Sequence, residues 1–356
     1  MELGERITGC LLAGAVGDAL GAPVEFQSWA EIREKFGPDG VTDLGQAARF
    51  TDDTQMTLFT AEGLIRARVR GRSKGICHPP SVVRHAYLRW LYTQGVPWPQ
   101  AGAEFAVGHP RPDGWLASEP LLHRQMAPGN TCLSELHAGG SGTISRPAND
   151  SKGCGAAMRT APVGFCYPTL SETWDAACDI AAITHGHPDG IHPAGVLAVT
   201  IRLLADGEQL ARGLERAAAF APAGSDTQRA VGRAIDLAAT RMPDPVTLNQ
   251  QLGQGWTGEE ALAIAACCAL AAPTPRAALL AAINHSGDSD STGSITGNLV
   301  GAAHGPQAIP EGWPGALDGA EIVTRVAIDL VTELTEPPWD SDGSVPAYWW
   351  DRYPGW

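Results

Sequence analysis

The stretch Glu321-Ile322-Val323-Thr324-Arg325-Val326-Ala327-Ile328-Asp329-Leu330-Val331-Thr332-Glu333-Leu334 places Ile322, Val323, Val326, Leu330, Val331 and Leu334 on one stripe of a helix. The same period recurs through the chain. Val82-Val83 through Leu88 and Leu91 carries helical spacing, as does Ala194 to Leu204, which stops at Asp206-Gly207. Glu259 to Ala271 is nearly all Ala, Leu, Ile and Cys, which predicts a helix buried on most sides. Alternating strand patterns are almost absent. The reading is an all-α, compact orthogonal multi-helix bundle.

The chain has 356 residues, 44% of them hydrophobic and 18% charged, which excludes a disordered or collagen-like protein. Its formal net charge of −14 argues against duplex nucleic acid or an anionic membrane as the main partner and suits a site that collects divalent cations. No run approaches the ~20 apolar residues of a membrane span. The start, Met1-Glu2-Leu3-Gly4-Glu5-Arg6, lacks the basic opening of a signal peptide. The eight Cys are scattered, with neither disulfide nor zinc spacing, so a cytoplasmic protein with reduced thiols is expected. Residues 1–356 are read as a single domain, with an irregular insertion at about 97–150 and an aromatic tail at 336–356. That tail, with Trp339, Tyr348, Trp349, Trp350, Tyr353 and Trp356, is expected to dock on the body. A second expectation is that Trp349, Trp350 or Tyr353 stacks on an adenine.

Three segments combine glycine with carboxylates. In Gly14-Ala15-Val16-Gly17-Asp18-Ala19-Leu20-Gly21-Ala22-Pro23-Val24-Glu25, the glycines recur at helical spacing, and Pro23 ends the helix so that Glu25 projects from a turn. In Phe50-Thr51-Asp52-Asp53-Thr54, Thr51 is a natural N-cap and both Asp fall in the first turn. Capping does not require four oxygen side chains in a row. Adjacent carboxylates raise each other's cost of ionisation unless a cation lies between them, and hard cations want such all-oxygen clusters. In Ser286-Gly287-Asp288-Ser289-Asp290-Ser291-Thr292-Gly293, Asp288 and Asp290 can splay around one ion, and either Ser291 or Thr292 adds a hydroxyl. A calcium EF-hand loop is rejected, because Leu299 stands where the bidentate Glu belongs. The run Asp288-x-Asp290-x-Thr292 also fits the nucleophile loop of haloacid-dehalogenase-type phosphatases, but that loop should follow an apolar strand. Converging, the three clusters would supply oxygens for two Mg²⁺ ions (or Mn²⁺) in a central dinuclear cleft.

Gly17-Asp18-Ala19-Leu20-Gly21-Ala22-Pro23-Val24-Glu25, Thr51-Asp52-Asp53-Thr54, Gly153-Cys154-Gly155-Ala156-Ala157-Met158-Arg159 and Ser286-Gly287-Asp288-Ser289-Asp290-Ser291-Thr292-Gly293 stand in this order. In these four motifs the chain resembles the ADP-ribosylglycohydrolase family, which holds the dinitrogenase-reductase-activating glycohydrolase and the ADP-ribosyl-arginine and -serine hydrolases. The resemblance runs from Gly14 to about Gly305. It implies an all-α fold with two Mg²⁺ and metal ligands at Thr51, Asp52, Asp53, Asp288, Asp290 and Ser291, the last being a departure from the Thr of many members. It implies a diphosphate and ribose subsite at Ser151, Gly153, Cys154, Gly155 and Met158, where small residues at a helix start offer backbone N–H groups. It also places His185 in the ADP-ribose cleft. The implied activity cleaves the glycosidic bond between ADP-ribose and an acceptor, an ADP-ribosylated protein side chain (arginine first) or a small conjugate. Glu25, Asp52 and Asp53 are the candidate catalytic carboxylates. A non-catalytic, crystallin-like ADP-ribose binder is the alternative within the family, and every acidic ligand position being filled argues against it.

Overall fold

Helix Leu3–Gly21 and helix Ser289–His304 lie against each other along a seam of glycine. A Cβ on Gly17 would fall 2.0 Å from the Gly293 carbonyl oxygen, and one on Gly297 2.0 Å from that of Ala13. The backbones therefore approach as only glycine allows, and the Asn298 amide donates across the seam to the Cys10 carbonyl at 2.9 Å. This contact brings the end of the first helix onto the start of the second: a Cβ on Gly21 would sit 2.2 Å from the Ser289 oxygen. Two segments more than 250 residues apart thus deliver Glu25 and the Asp288–Asp290 turn to one place.

The computed structural model describes residues 1–355, and among these the architecture is helical, with isolated bridges in place of sheets. Helix Gly258–Ala271 is buried along Ala261 to Cys268, as its composition predicts. In helix Ala320–Thr335, Ile322, Val323, Val326 and Leu330 form the buried stripe. Helix Pro188–Ala205 begins six residues before the periodic segment read from Ala194, and its second turn accommodates Pro193. His187 caps its start, Nδ1 accepting from the Asp189 N–H at 3.0 Å.

Helix Asp52–Lys74 crosses the molecule. Thr51 caps it, accepting from the Asp53 N–H, and Gly75 closes it in the left-handed conformation at φ 75°. Its start is tied to the first helix by Asp18, which accepts from the N–H groups of Thr51 (2.8 Å) and Thr54 (3.0 Å) and from the Thr54 hydroxyl. Between Trp98 and His137 the chain is a run of short helices and 3₁₀ turns.

The tail docks, as its aromatic density predicts. Trp349 and Tyr353 are buried, the Trp349 indole N–H donates to Glu333 at 2.8 Å, and the Tyr353 hydroxyl donates to Asp329. Trp339 and Tyr348 stay exposed, and Trp356 lies outside the described residues.

Candidate active site

Glu25 sits in the turn that follows Gly21, and Asp288 caps helix Ser289–His304, accepting from the Ser291 N–H. Oxygens of Glu25, Asp288 and Asp290 lie within 4.8 Å of one another. Asp52 and Asp53 face the same cleft, a cavity of about 290 Å³ that Gly153, Cys154, Gly155, Met158, His185 and Ser291 also line. The three acidic motifs therefore converge.

The electrostatics of this arrangement are unfavourable without a cation. Burial, then the charges of Asp290 and Asp288, push Glu25 up to about 10. Burial lifts Asp53 well above the carboxylate range, reinforced by Asp290, Asp18 and Asp52. Asp52 rises for the same first reason, although the Gly129 N–H, donating to it at 3.1 Å, works the other way. Asp288 is raised by burial and by Asp290. Among the described residues that line the cavity none carries an ammonium or guanidinium. One oxygen of Asp53 is buried without a hydrogen-bond partner, an expensive state for a carboxylate unless an ion fills the gap. The donor set fits hard divalent cations.

The hydroxyls divide by direction. Ser291 faces the cleft. Thr292 is turned inward, its hydroxyl donating to the Ala282 carbonyl at 2.7 Å and meeting His285 Nε2 at 2.9 Å. The segment before this turn is helix Pro275–Ile283, so the apolar strand that a phosphatase nucleophile loop requires is not there. Thr51 lies at the cap behind Asp53 rather than on the cavity wall.

On the other wall, His185 is buried and uncharged: burial, then Arg159, lowers it to about 3. Arg159 donates to the Thr184 hydroxyl at 2.7 Å, and that hydroxyl meets His185 Nδ1 at 2.9 Å. Thr184 thus fixes the ring through Nδ1 and leaves Nε2 directed toward Gly153.

The 153–155 segment departs from expectation in one respect. The Gly153 N–H donates to Ser151 Oγ and the Cys154 N–H to the Trp256 carbonyl, both at 3.2 Å, so neither is a free phosphate donor. Its contribution is a wall of small side chains. Ser151 stands behind that wall, 3.0 Å from the Thr131 hydroxyl, while Thr131 faces the cavity.

The chain is similar to known proteins along most of its length. A family model described as ADP-ribosylglycohydrolase matches residues 1–339. The chain belongs to the ADP-ribosylglycohydrolase family. It is 26% identical over 324 residues to the ADP-ribosyl-[dinitrogen reductase] glycohydrolase of Rhodospirillum rubrum, covering 88% of this chain and 90% of that one. It is 23% identical to the ADP-ribosylarginine hydrolase Tri1 of Pseudomonas putida, over 92% of this chain and 78% of that protein. Among solved structures, one titled ADP-ribosylglycohydrolase-related protein complex superposes with a TM-score of 0.63 at 25% identity, over 94% of this chain and 99% of the other. This glycohydrolase is thus an enzyme of glycosidic-bond hydrolysis acting on ADP-ribose linkages.

Four features of the glycohydrolase cleft escaped sequence reading. Asp18 lies in a quoted motif, and an acid inside an apolar helix was a usable signal; burial, then Asp290, lifts it to about 7. The 127–131 segment and Cys132 have no periodicity that would place them on the wall. Phe26 and Trp256 stack at the mouth with ring centroids 5.2 Å apart, and Phe26 adopts a left-handed φ of 67°. Trp349, Trp350 and Tyr353 do not line the cavity. They pack between helix Ala320–Thr335, through Glu333 and Asp329, and the second half of helix Asp52–Lys74, where Gly355 abuts the Arg70 backbone. At 1.5 Å per residue Arg70 is about 27 Å from Asp52, so the adenine-stacking expectation is replaced by packing on the body.

Proposed function

We propose that this enzyme releases ADP-ribose from ADP-ribosylated protein side chains, arginine first, or from small ADP-ribosyl conjugates, with two Mg²⁺ ions (Mn²⁺ as substitute). The observation that carries the reading is the meeting of Glu25, Asp52, Asp53, Asp288 and Asp290 in one cleft, with a buried Asp53 oxygen left unpartnered. Arginine is placed first because the relative Tri1 is named for ADP-ribosylarginine. Asp52, Asp53, Asp288, Asp290 and Ser291 would hold the ions, with Thr51 contributing from the cap. Bound there, the cations supply positive charge against which the distal ribose hydroxyls and a water are oriented.

The protein groups do the rest. A carboxylate of the Asp52/Asp53 pair orients the water and accepts its proton. Glu25, at the lip, holds the scissile ribose or passes a proton to the leaving group. The flanking carboxylates stabilise the oxocarbenium-like transition state. His185 Nε2–H donates to a ribose or phosphate oxygen, and Gly153, Cys154, Gly155 and Met158 let the substrate backbone lie close. All eight cysteines are free, which supports a cytoplasmic location, and among the described residues no helix is long and apolar enough to cross a membrane.

The test is a panel of ADP-ribosyl-arginine, -serine and nucleobase conjugates assayed with and without Mg²⁺. ADP-ribose release from at least one conjugate, stopped by EDTA and restored by Mg²⁺, is expected. Turnover indifferent to EDTA overturns the metal assignment; no release from any conjugate overturns the activity.

A further inference from the structure

Cys154 opens the 3₁₀ turn Cys154–Arg159 and faces the acidic cleft. Its Sγ lies 2.8 Å from Asp288 Oδ2, to which the thiol donates, and 3.6 Å from Ser291 Oγ. The sulfur is held in place because the Cys154 N–H is anchored to the Trp256 carbonyl at 3.2 Å. A soft donor thus already touches an oxygen of the Glu25, Asp288, Asp290 cluster. The second observation is independent of the thiol. Asp53 is 2% exposed, faces the same cavity, and has one oxygen with no hydrogen-bond partner.

Hard cations such as Mg²⁺ ignore sulfur, whereas thiophilic dications gain most of their selectivity from it. We propose that Cys154 turns the cleft into a mixed sulfur–oxygen site for a thiophilic dication of the Zn²⁺ or Cd²⁺ class, in competition with the hard ion. On binding, the S–H bond breaks, the proton leaves to solvent, and a sulfur–metal bond forms; no electrons are exchanged. The hydrogen bond to Asp288 is replaced by an ion shared between Sγ and that carboxylate. This inference rests on the metal-centre reading above and adds a donor of different chemistry to it.

Titration of the full-length protein with Cd²⁺ tests it, read by the ultraviolet sulfur-to-cadmium charge-transfer band and by calorimetry. The wild type is expected to develop a band that Mg²⁺ displaces. Cys154→Ser should lose it and bind Cd²⁺ about tenfold more weakly or worse. A band that persists in Cys154→Ser, or that saturating Mg²⁺ leaves intact, overturns the proposal. Cd²⁺ binding that Asp288→Asn abolishes but that shows no band in the wild type overturns the sulfur contact and leaves the acidic centre standing. Absence of any Mg²⁺ or Cd²⁺ binding overturns both.

Discussion

Helix Asp52–Lys74 carries two buried charged clusters, and they are built on opposite principles. Midway along it, Glu62 and Arg66 join Arg89 and Asp113: Arg66 bonds Asp113 at 2.7 Å and Glu62 at 3.2 Å, and Arg89 pairs with the other Glu62 oxygen. Burial works against the Asp113 carboxylate, yet Arg66 and Arg89 hold it below the usual range. At the helix start, Asp52 and Asp53 meet Asp288, Asp290 and Glu25 with no cationic side chain among the cavity residues. The first cluster is neutral by itself and braces the fold. The second is left unbalanced, and an unbalanced buried charge needs something from outside the chain. The lesson is that buried charge marks function where the fold declines to compensate it.

That contrast can be broken by mutation. Asp290→Ala or Asp52→Ala should lower Mg²⁺-dependent ADP-ribose release by a hundredfold to about a thousandfold or more, in a protein that still folds. Near-wild-type turnover would remove the metal assignment. Next in size, Glu62→Gln should cost about 3–5 kcal/mol in urea unfolding, because it strands buried Arg89. Calorimetry should find Mg²⁺ binding to the folded variant unchanged. If Glu62→Gln spared stability and Asp290→Ala destroyed it, the two clusters would have exchanged roles.

The pH dependence sharpens the same difference. Carboxyls held above their unfolded values bind protons more tightly in the folded state. Their stability is therefore full below about pH 4 and is lost as pH rises through the folded values, about 7 for Asp18 and about 10 for Glu25. A divalent cation removes that penalty, so the melting-temperature gain from Mg²⁺ should be larger at about pH 8 than at about pH 5. A gain that shrank with rising pH would contradict the raised carboxyls. Smallest of all, Trp350→Ala should leave ADP-ribose affinity within about twofold of wild type, since Trp350 lies over Lys74 at the far end of the helix.

Much of the cleft was legible in advance because its chemistry is concentrated in short motifs. Thr51 caps its helix, Glu25 lies in the turn after the first helix, and the carboxylates of the three motifs line one cavity. Other elements were not legible. Whether the N–H groups of Gly153 and Cys154 were free depended on Ser151 and on Trp256, a residue about a hundred positions away. The choice between Ser291 and Thr292 turned on the Ala282 carbonyl claiming the Thr292 hydroxyl. The tail's aromatic density signalled burial but said nothing about which surface would receive it.

The amino-acid order alone determined the helices, their caps, the glycine rows and the placing of Asp52-Asp53 and Asp288-Asp290 at helix starts, since these follow from neighbours within one or two turns. Tertiary structure decided which oxygens meet, which N–H groups are spent, and where the tail lies. Those outcomes depend on contacts between residues tens to hundreds of positions apart, and a local pattern carries no record of the partner that arrives from elsewhere in the chain.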